Sequence, residues 1–298
     1  MSLLTCAATC PAIPGLASGS YSVDFTKQTA TPPEWSLADY AHVNYGSNGA
    51  EFTYGKRYDA PHMWTDFYML YGRVEVVMQV APGTGMISAV VLMSDDLDEI
   101  DIGEWSGNNF ATNHGIWQTN YFGKGLTGNY DRSTAENVES PQTQFHTYTV
   151  DWSPTSIVWS LDGRAVRTLN NNGATDGAYQ FPQSPSRLHL SLWTGGDADS
   201  APGVVGWAGG YTDLSKVPYT AFVKSVKITT PNPCSSWQFP ADFSGQAQDV
   251  TCTNTTLSTK TSTSQVAATT TSGIKSATAT TYAVQVGDYG MNVSFQNM

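Results

Sequence analysis

The chain is poor in positive charge: 14 Lys and Arg stand against 25 Asp and Glu among 298 residues, a formal net charge of −11. That balance argues against nucleic acid and anionic membranes as partners and admits a neutral polysaccharide. No stretch is long and apolar enough to span a bilayer. The opening MSLLTCAATC lacks the basic and apolar regions of a signal peptide, and residues 282–298 do not read as a hydrophobic anchor signal. No G-x-S-x-G offers a serine nucleophile, and no G-x-G-x-x-G follows a strand and opens a helix. The five His, at 42, 62, 114, 146 and 189, lack metal-ligand spacing and read as structural or surface residues, with His114 a candidate to line a cleft. No metal and no cofactor is expected.

Cysteine is scarce but even in number. Cys6 and Cys10 sit together, as do Cys234 and Cys252. Three pairings are possible, and the local one, Cys6–Cys10 with Cys234–Cys252, is expected, in an oxidising, extracellular compartment.

Helical periodicity is also absent from every window of a dozen residues. What is present is a series of short, β-branched runs. Residues 72–80 (GRVEVVMQV) and 87–94 (ISAVVLMS) flank the breaker APGTG, and residues 145–152 alternate as a half-buried strand does. Asp162-Gly163 between two apolar runs (156–169) signals a hairpin. Residues 187–194 and 221–229 add two strands. Such spacing predicts an all-β sandwich or barrel over residues 20–232. Residues 1–19 read as an irregular Cys-containing segment and residues 233–252 as a Cys-bounded one. Of the 25 residues from Thr251 to Lys275, fourteen are Ser or Thr. A tail of that composition over 253–298 has too little apolar area to offset its ordering entropy and is expected to be disordered and O-glycosylated. Asn254 and Asn292 head N-glycosylation sequons. Nine Trp and fifteen Tyr supply core and also flat faces suited to sugar rings.

The densest chemistry lies in SDDLDEIDIGEWSG (94–107). In a strand, Glu99 and Asp101 share a face. Strict alternation turns Glu104 away, but a bulge at Gly103 restores it to the same face. Two carboxylates about 5–5.5 Å apart are what a retaining glycosidase uses, and crowding by a third raises the acid's pKa. Glu99 is assigned as nucleophile, Glu104 as acid/base, and Asp101 as the assisting group that holds and tunes them. The competing readings are a solvated acidic strand and a calcium site at Asp95, Asp96 and Asp98. Ile100, Ile102 and Trp105 argue against simple solvation.

The run EIDIGE resembles the E-x-D-x-x-E active-site strand of glycoside hydrolase family 16. KRYDAPHMWTDFYMLYGRVEVVMQVAPGTG (56–85), VLMSDDLDEID (91–101), QTNYFGKG (118–125), HTYTVDWSPTSIVWSLDGRAVRT (146–168) and APGVVGWAGG (201–210) look like the fungal Crh cell-wall transglycosylases. The resemblance implies a β-jelly-roll sandwich of two antiparallel sheets with a cleft on one face. It implies a secreted, cell-wall enzyme that cleaves a chitin donor and transfers it to β-glucan or chitin acceptors. It also implies that Gln118, Asn120, Tyr121 and Lys124 lie along the cleft, that Trp193 and Trp207 stack on sugar or serve the acceptor side, and that Arg73 and Tyr68 contribute. A monomer is expected. One departure is Gly103: Crh enzymes usually carry E-x-D-x-E, and the longer form is typical of the family's laminarinases. An endo-β-1,3(4)-glucanase and a non-catalytic lectin-like protein are the alternatives.

Overall fold

A computed structural model describes residues 10–106 and 114–254, without the side chains of His114 and Gly115. Alternation decides most of it. In GRVEVVMQ, Val74, Val76 and Met78 are buried while Arg73, Glu75 and Gln79 point the other way, the period-2 signature of a sheet with one face on a core. The described residues form eighteen strands. The first nine are β1 (Ile13–Pro14), β2 (Ser20–Asp24), β3 (Trp35–Leu37), β4 (Val43–Gly46), β5 (Gly49–Tyr54), β6 (His62–Thr65), β7 (Gly72–Gln79), β8 (Met86–Ser94) and β9 (Glu99–Ser106). Then come β10 (His114–Phe122), β11 (Thr134–Glu139), β12 (His146–Trp152), β13 (Ser156–Leu161), β14 (Arg164–Asn170) and β15 (Ser186–Thr194). The last are β16 (Tyr219–Thr229), β17 (Ser236–Gln238) and β18 (Thr251–Thr253), with one short α-helix, α1 (Pro202–Trp207), between β15 and β16.

A seven-stranded antiparallel sheet runs β11-β10-β9-β8-β15-β6-β3, and an eight-stranded one runs β14-β13-β12-β7-β16-β5-β4 with β2 on β16. Between them lies one large core that includes Val74, Val76, Val90, Leu92, Ile100, Ile102, Trp105, Trp117, Tyr148 and Trp159. Trp105 and Trp117 stack at 6.4 Å, and Tyr148 meets both rings edge-on at 4.4 and 5.2 Å. Such aromatic contacts add about 0.5–1.5 kcal/mol each beyond area burial. This is the expected two-sheet sandwich.

The predicted strands fall where the sequence puts them, and the hairpin turns at Asp162 (φ 49°) and Gly163 (φ 81°), the double positive φ of a type I′ turn. One expectation is corrected. The N-terminal segment is not wholly irregular: Ile13 pairs with Trp237, and β1, β17 and β18 form a three-stranded sheet. A pairing between the two ends of the domain leaves no local periodicity to read. The Cys234–Cys252 disulfide is present, with Cα atoms 5.8 Å apart. Cys10 is disulfide-bonded, while its expected partner Cys6 lies outside the described residues. The Ser/Thr-rich residues from 255 onward, and with them Asn292, also lie outside.

Candidate active site

Strand β9 lies inside the seven-stranded sheet, between β8 and β10. Cross-strand partners share a face, so the register says where each side chain points. Glu99 is opposite Met93 and Phe122, Asp101 opposite Val91 and Asn120, and Glu104 opposite Ala89 and Gln118. Ala89, Val91 and Met93 cluster with Leu97, separate from the core that takes Val90, Leu92, Ile100 and Ile102. The three carboxylates therefore share the sheet face turned away from the core. The bulge that permits this is present: Gly103 faces Val90 and Asp101 faces Val91, so Ile102 is the extra residue.

The reason for glycine at 103 differs from the expected one. Gly103 does not adopt a positive φ. A Cβ there would instead meet Trp117 Nε1 at 2.3 Å and the Trp105 ring at 2.6 Å. Glycine is required because two stacked indoles close over the bulge, a demand for space and not for dihedral freedom. Gly103→Ala is expected to overpack this contact at a cost of about 1–3 kcal/mol. By thermal unfolding that is a fall in Tm of several degrees, and an unchanged Tm would contradict the packing account.

All three acids are nearly inaccessible, at 6%, 2% and 7% relative exposure for Glu99, Asp101 and Glu104. Burial pushes Asp101 up to about 6, opposed by its hydrogen bond with Glu99 and by the charges of Arg167 and Arg132. Glu104 is driven well above the ordinary carboxylate range, first by burial and then by the charge of Asp101. A carboxyl kept protonated toward neutral pH, on the same face as other acids, is what a general acid requires.

Beside Glu104, Trp207 Nε1 donates to Gln118 Oε1 at 2.9 Å. Trp207 stacks on Trp193, with ring centroids 5.9 Å apart and planes 23° from parallel. Trp193 faces Ile87, which faces Ser106, so both Trp193 and the acids lie on one sheet face. Residues 34–209 match the description "Glycosyl hydrolases family 16". The chain belongs to that family.

Among its relatives, Crh-like protein 5 of Aspergillus fumigatus is 48% identical over 242 residues, 81% of this chain and 59% of the relative. Congo red hypersensitive protein 1 of Saccharomyces cerevisiae is 41% identical over 212 residues, 70% of this chain and 39% of the relative. The chain thus spans roughly two fifths to two thirds of the length of such curated relatives. A solved structure described as "Crh5 transglycosylase in complex with NAG" is 47% identical, with a TM-score of 0.75 over 82% of this chain and 97% of that one.

Within this family 16 domain the remaining sequence candidates separate. Asn120 joins the acids, as the cross-strand neighbour of Asp101. Tyr68 reaches the Glu99 end: Arg187, in register with Met93, lies over the Tyr68 ring at 5.3 Å, and Tyr68 donates to Asp95 at 2.7 Å. Three others are placed elsewhere. Tyr121 faces Ile100, a core residue, and so points to the face opposite the acids. Arg73 lies on the outward face of the other sheet, paired with Asp151 and Glu75. Lys124 is buried, its Nζ 2.5 Å from Asp98, 3.0 Å from Asp96 and 2.9 Å from Ser184. Asp98 further accepts from the Gln183 and Lys124 backbone amides and from Ser184. The acidic run before β9 thus holds a lysine, not calcium. Among the described residues no group of three or more His, Cys, Asp or Glu is arranged to hold a metal ion.

Sequence reasoning missed His62, Trp64, His189 and Arg187, which share the active-site face. Alternation puts His62 with Trp64 and His189 with Arg187, but only the fold sets His62 Nε2 2.9 Å from His189 Nδ1. Burial, then the charge of Arg187, lowers His62 to about 4, and burial takes His189 well below its ordinary value. Both rings are thus neutral through the mildly acid range. Between the ordinary 6.5 and about 4, the unfolded chain binds protons that the folded pair refuses, so this pair contributes a loss of stability as pH falls. Histidine-ring NMR should show His62 protonating near pH 4, and a midpoint at its ordinary value would mean a wetted pair.

Proposed function

We propose that the protein is a retaining transglycosylase of cell-wall polysaccharide that cleaves a β-1,4-linked chitin donor and passes it to β-glucan or chitin. The observation that carries this reading is the bulged strand with Glu99, Asp101 and Glu104 on one face, beside the Trp193–Trp207 stack. Its likeness to a transglycosylase solved with NAG supports the sugar class.

In this reading Glu99 attacks the anomeric carbon while Glu104 gives its proton to the departing glycosidic oxygen. The C1–O bond breaks and a glycosyl ester on Glu99 forms. Glu104, now a carboxylate, takes the proton of an acceptor hydroxyl as that oxygen displaces Glu99 from C1. Asp101 holds Glu99 by hydrogen bond and sets the charge that Glu104 feels. Trp193 and Trp207 offer an apolar, near-parallel surface on the Glu104 side, where an acceptor ring can exclude water from the ester. Residues 20–232 form the catalytic unit, working as a monomer outside the cell, where the Cys234–Cys252 disulfide is stable.

The long E-x-D-x-x-E spacing favours a second reading, an endo-β-1,3(4)-glucanase with water as acceptor. Incubation with chitin oligosaccharides and a fluorescent β-1,3-glucan oligosaccharide separates the two. Labelled products longer than the acceptor are expected. Shortened glucan without transfer would establish the glucanase, and binding without reaction a lectin-like protein.

A further inference from the structure

The bulge in β9 breaks the register with both neighbours. Toward β8, Ile102 has no partner; toward β10, Thr119 alone spans Ile102 and Gly103. A bulge interrupts the ladder, so its carbonyls need other donors or the strand slips back into register. A slip of one residue would turn Glu104 to the core face. Two fully buried tryptophans supply donors. Trp159, from β13 of the opposite sheet, donates Nε1–H to the Asp101 carbonyl at 2.9 Å. Trp117, on β10, donates Nε1–H to the Ile102 carbonyl at 3.0 Å. Both indoles are themselves held. Trp117 is stacked on Trp105, and Arg167 lies 4.5 Å over the Trp159 ring. Arg167 in turn donates to the Thr119 carbonyl at 2.6 Å, the residue that spans the bulge.

We infer that Trp117 and Trp159 are positioning residues for the catalytic carboxylates, their indole N–H groups pinning the Asp101 and Ile102 carbonyls, at the entry to the bulge and within it, and so keeping Glu104 beside Asp101 and Glu99. The inference rests on the retaining reading of these acids. The core then does more than stabilise the fold, because the opposite sheet, through one indole, sets the geometry of the reacting groups.

Comparison of Trp117→Phe and Trp159→Phe with Trp152→Phe tests this. Trp152 is likewise a buried indole, and its Nε1–H goes to the Pro182 carbonyl at 3.0 Å, away from the bulge. Each variant loses a ring and one buried hydrogen bond, so the loss in Tm is expected to be similar. Only Trp117→Phe and Trp159→Phe should lose kcat, by about 10- to 100-fold, with KM for a chitin oligosaccharide nearly unchanged, as misplacement of reacting groups predicts. Carboxyl-carbon NMR should find the Asp101 and Glu104 midpoints displaced in those two and wild-type in Trp152→Phe. Where a Phe variant fails to fold, benzothienylalanine, which keeps the ring shape and lacks the N–H, takes its place. Equal kcat in all three variants, or unmoved carboxyl midpoints, would overturn the inference. If the wild type turns over no sugar, the functional reading fails, and the carboxyl titrations still decide this one.

Discussion

Glu99→Gln is expected to lower kcat by about 10,000-fold or more, because the amide oxygen cannot form the glycosyl ester and no neighbouring group takes its place. Glu104→Gln is expected to cost about 100- to 10,000-fold with a natural sugar leaving group. The two losses differ in kind. With a donor whose leaving group departs without protonation, such as a nitrophenyl glycoside, Glu104→Gln should recover its first step, whereas Glu99→Gln should not. Both variants should still bind chitin oligosaccharide, since each substitution is isosteric. Turnover surviving in both would remove these acids from the mechanism. Equal rescue of both would mean that the nucleophile and acid roles are wrongly divided. The pH dependence has a definite sign: Glu104 must be protonated to act as acid, so kcat falls as pH rises through its elevated midpoint, and that limb disappears in Glu104→Gln.

The largest effect on stability is expected away from the chemistry, at Lys124. Its ammonium is the cation for two fully buried carboxylates, Asp96 and Asp98. Lys124→Met keeps the stem and removes the charge, leaving two anions facing each other in the interior. Breaking a buried pair in this way costs about 3–5 kcal/mol. For a domain of this size that corresponds to a fall in Tm of about 10 °C. Neutralising the partners as well, in Lys124→Met with Asp96→Asn and Asp98→Asn, should recover part of the loss, because the penalty belongs to the uncompensated charge and not to the missing contact. At a temperature where the variant is folded, KM for chitin oligosaccharide should match the wild type. A raised KM with an unchanged Tm would instead put Lys124 in the sugar cleft.

That residue also marks where sequence reading stops. QTNYFGKG resembles a cleft motif, yet its members diverge once folded. Gln118 and Asn120 alternate onto the face of the acids, Tyr121 falls on the other face, and Lys124, past the end of β10 with φ 57°, turns back into the interior. A strand's parity can be read from the sequence, but the point where the strand ends and the chain reverses is decided by what receives it. Here that is Asp98, the residue just before β9.

Local pattern was enough for an all-β sandwich or barrel and for a shared face of Glu99, Asp101 and Glu104. Alternating apolar residues specify sheets with one buried face, and Glu99, Asp101 and Glu104 can share a face only through one inserted residue, which the spacing around Gly103 announces. These properties are carried by near neighbours along one strand. Everything that joins distant strands came from the folded chain alone. It joined His62 to His189 across 127 positions and set Trp207 against Gln118 across 89. It brought the Trp159 indole to the Asp101 carbonyl across 58. It also supplied the reason for Gly103, the space taken by Trp105 and Trp117. Side-chain direction repeats with the backbone and so leaves a period in the sequence. Contacts between segments far apart in the chain depend on the closure of long loops, whose entropy depends on length and not on residue pattern, and so leave none.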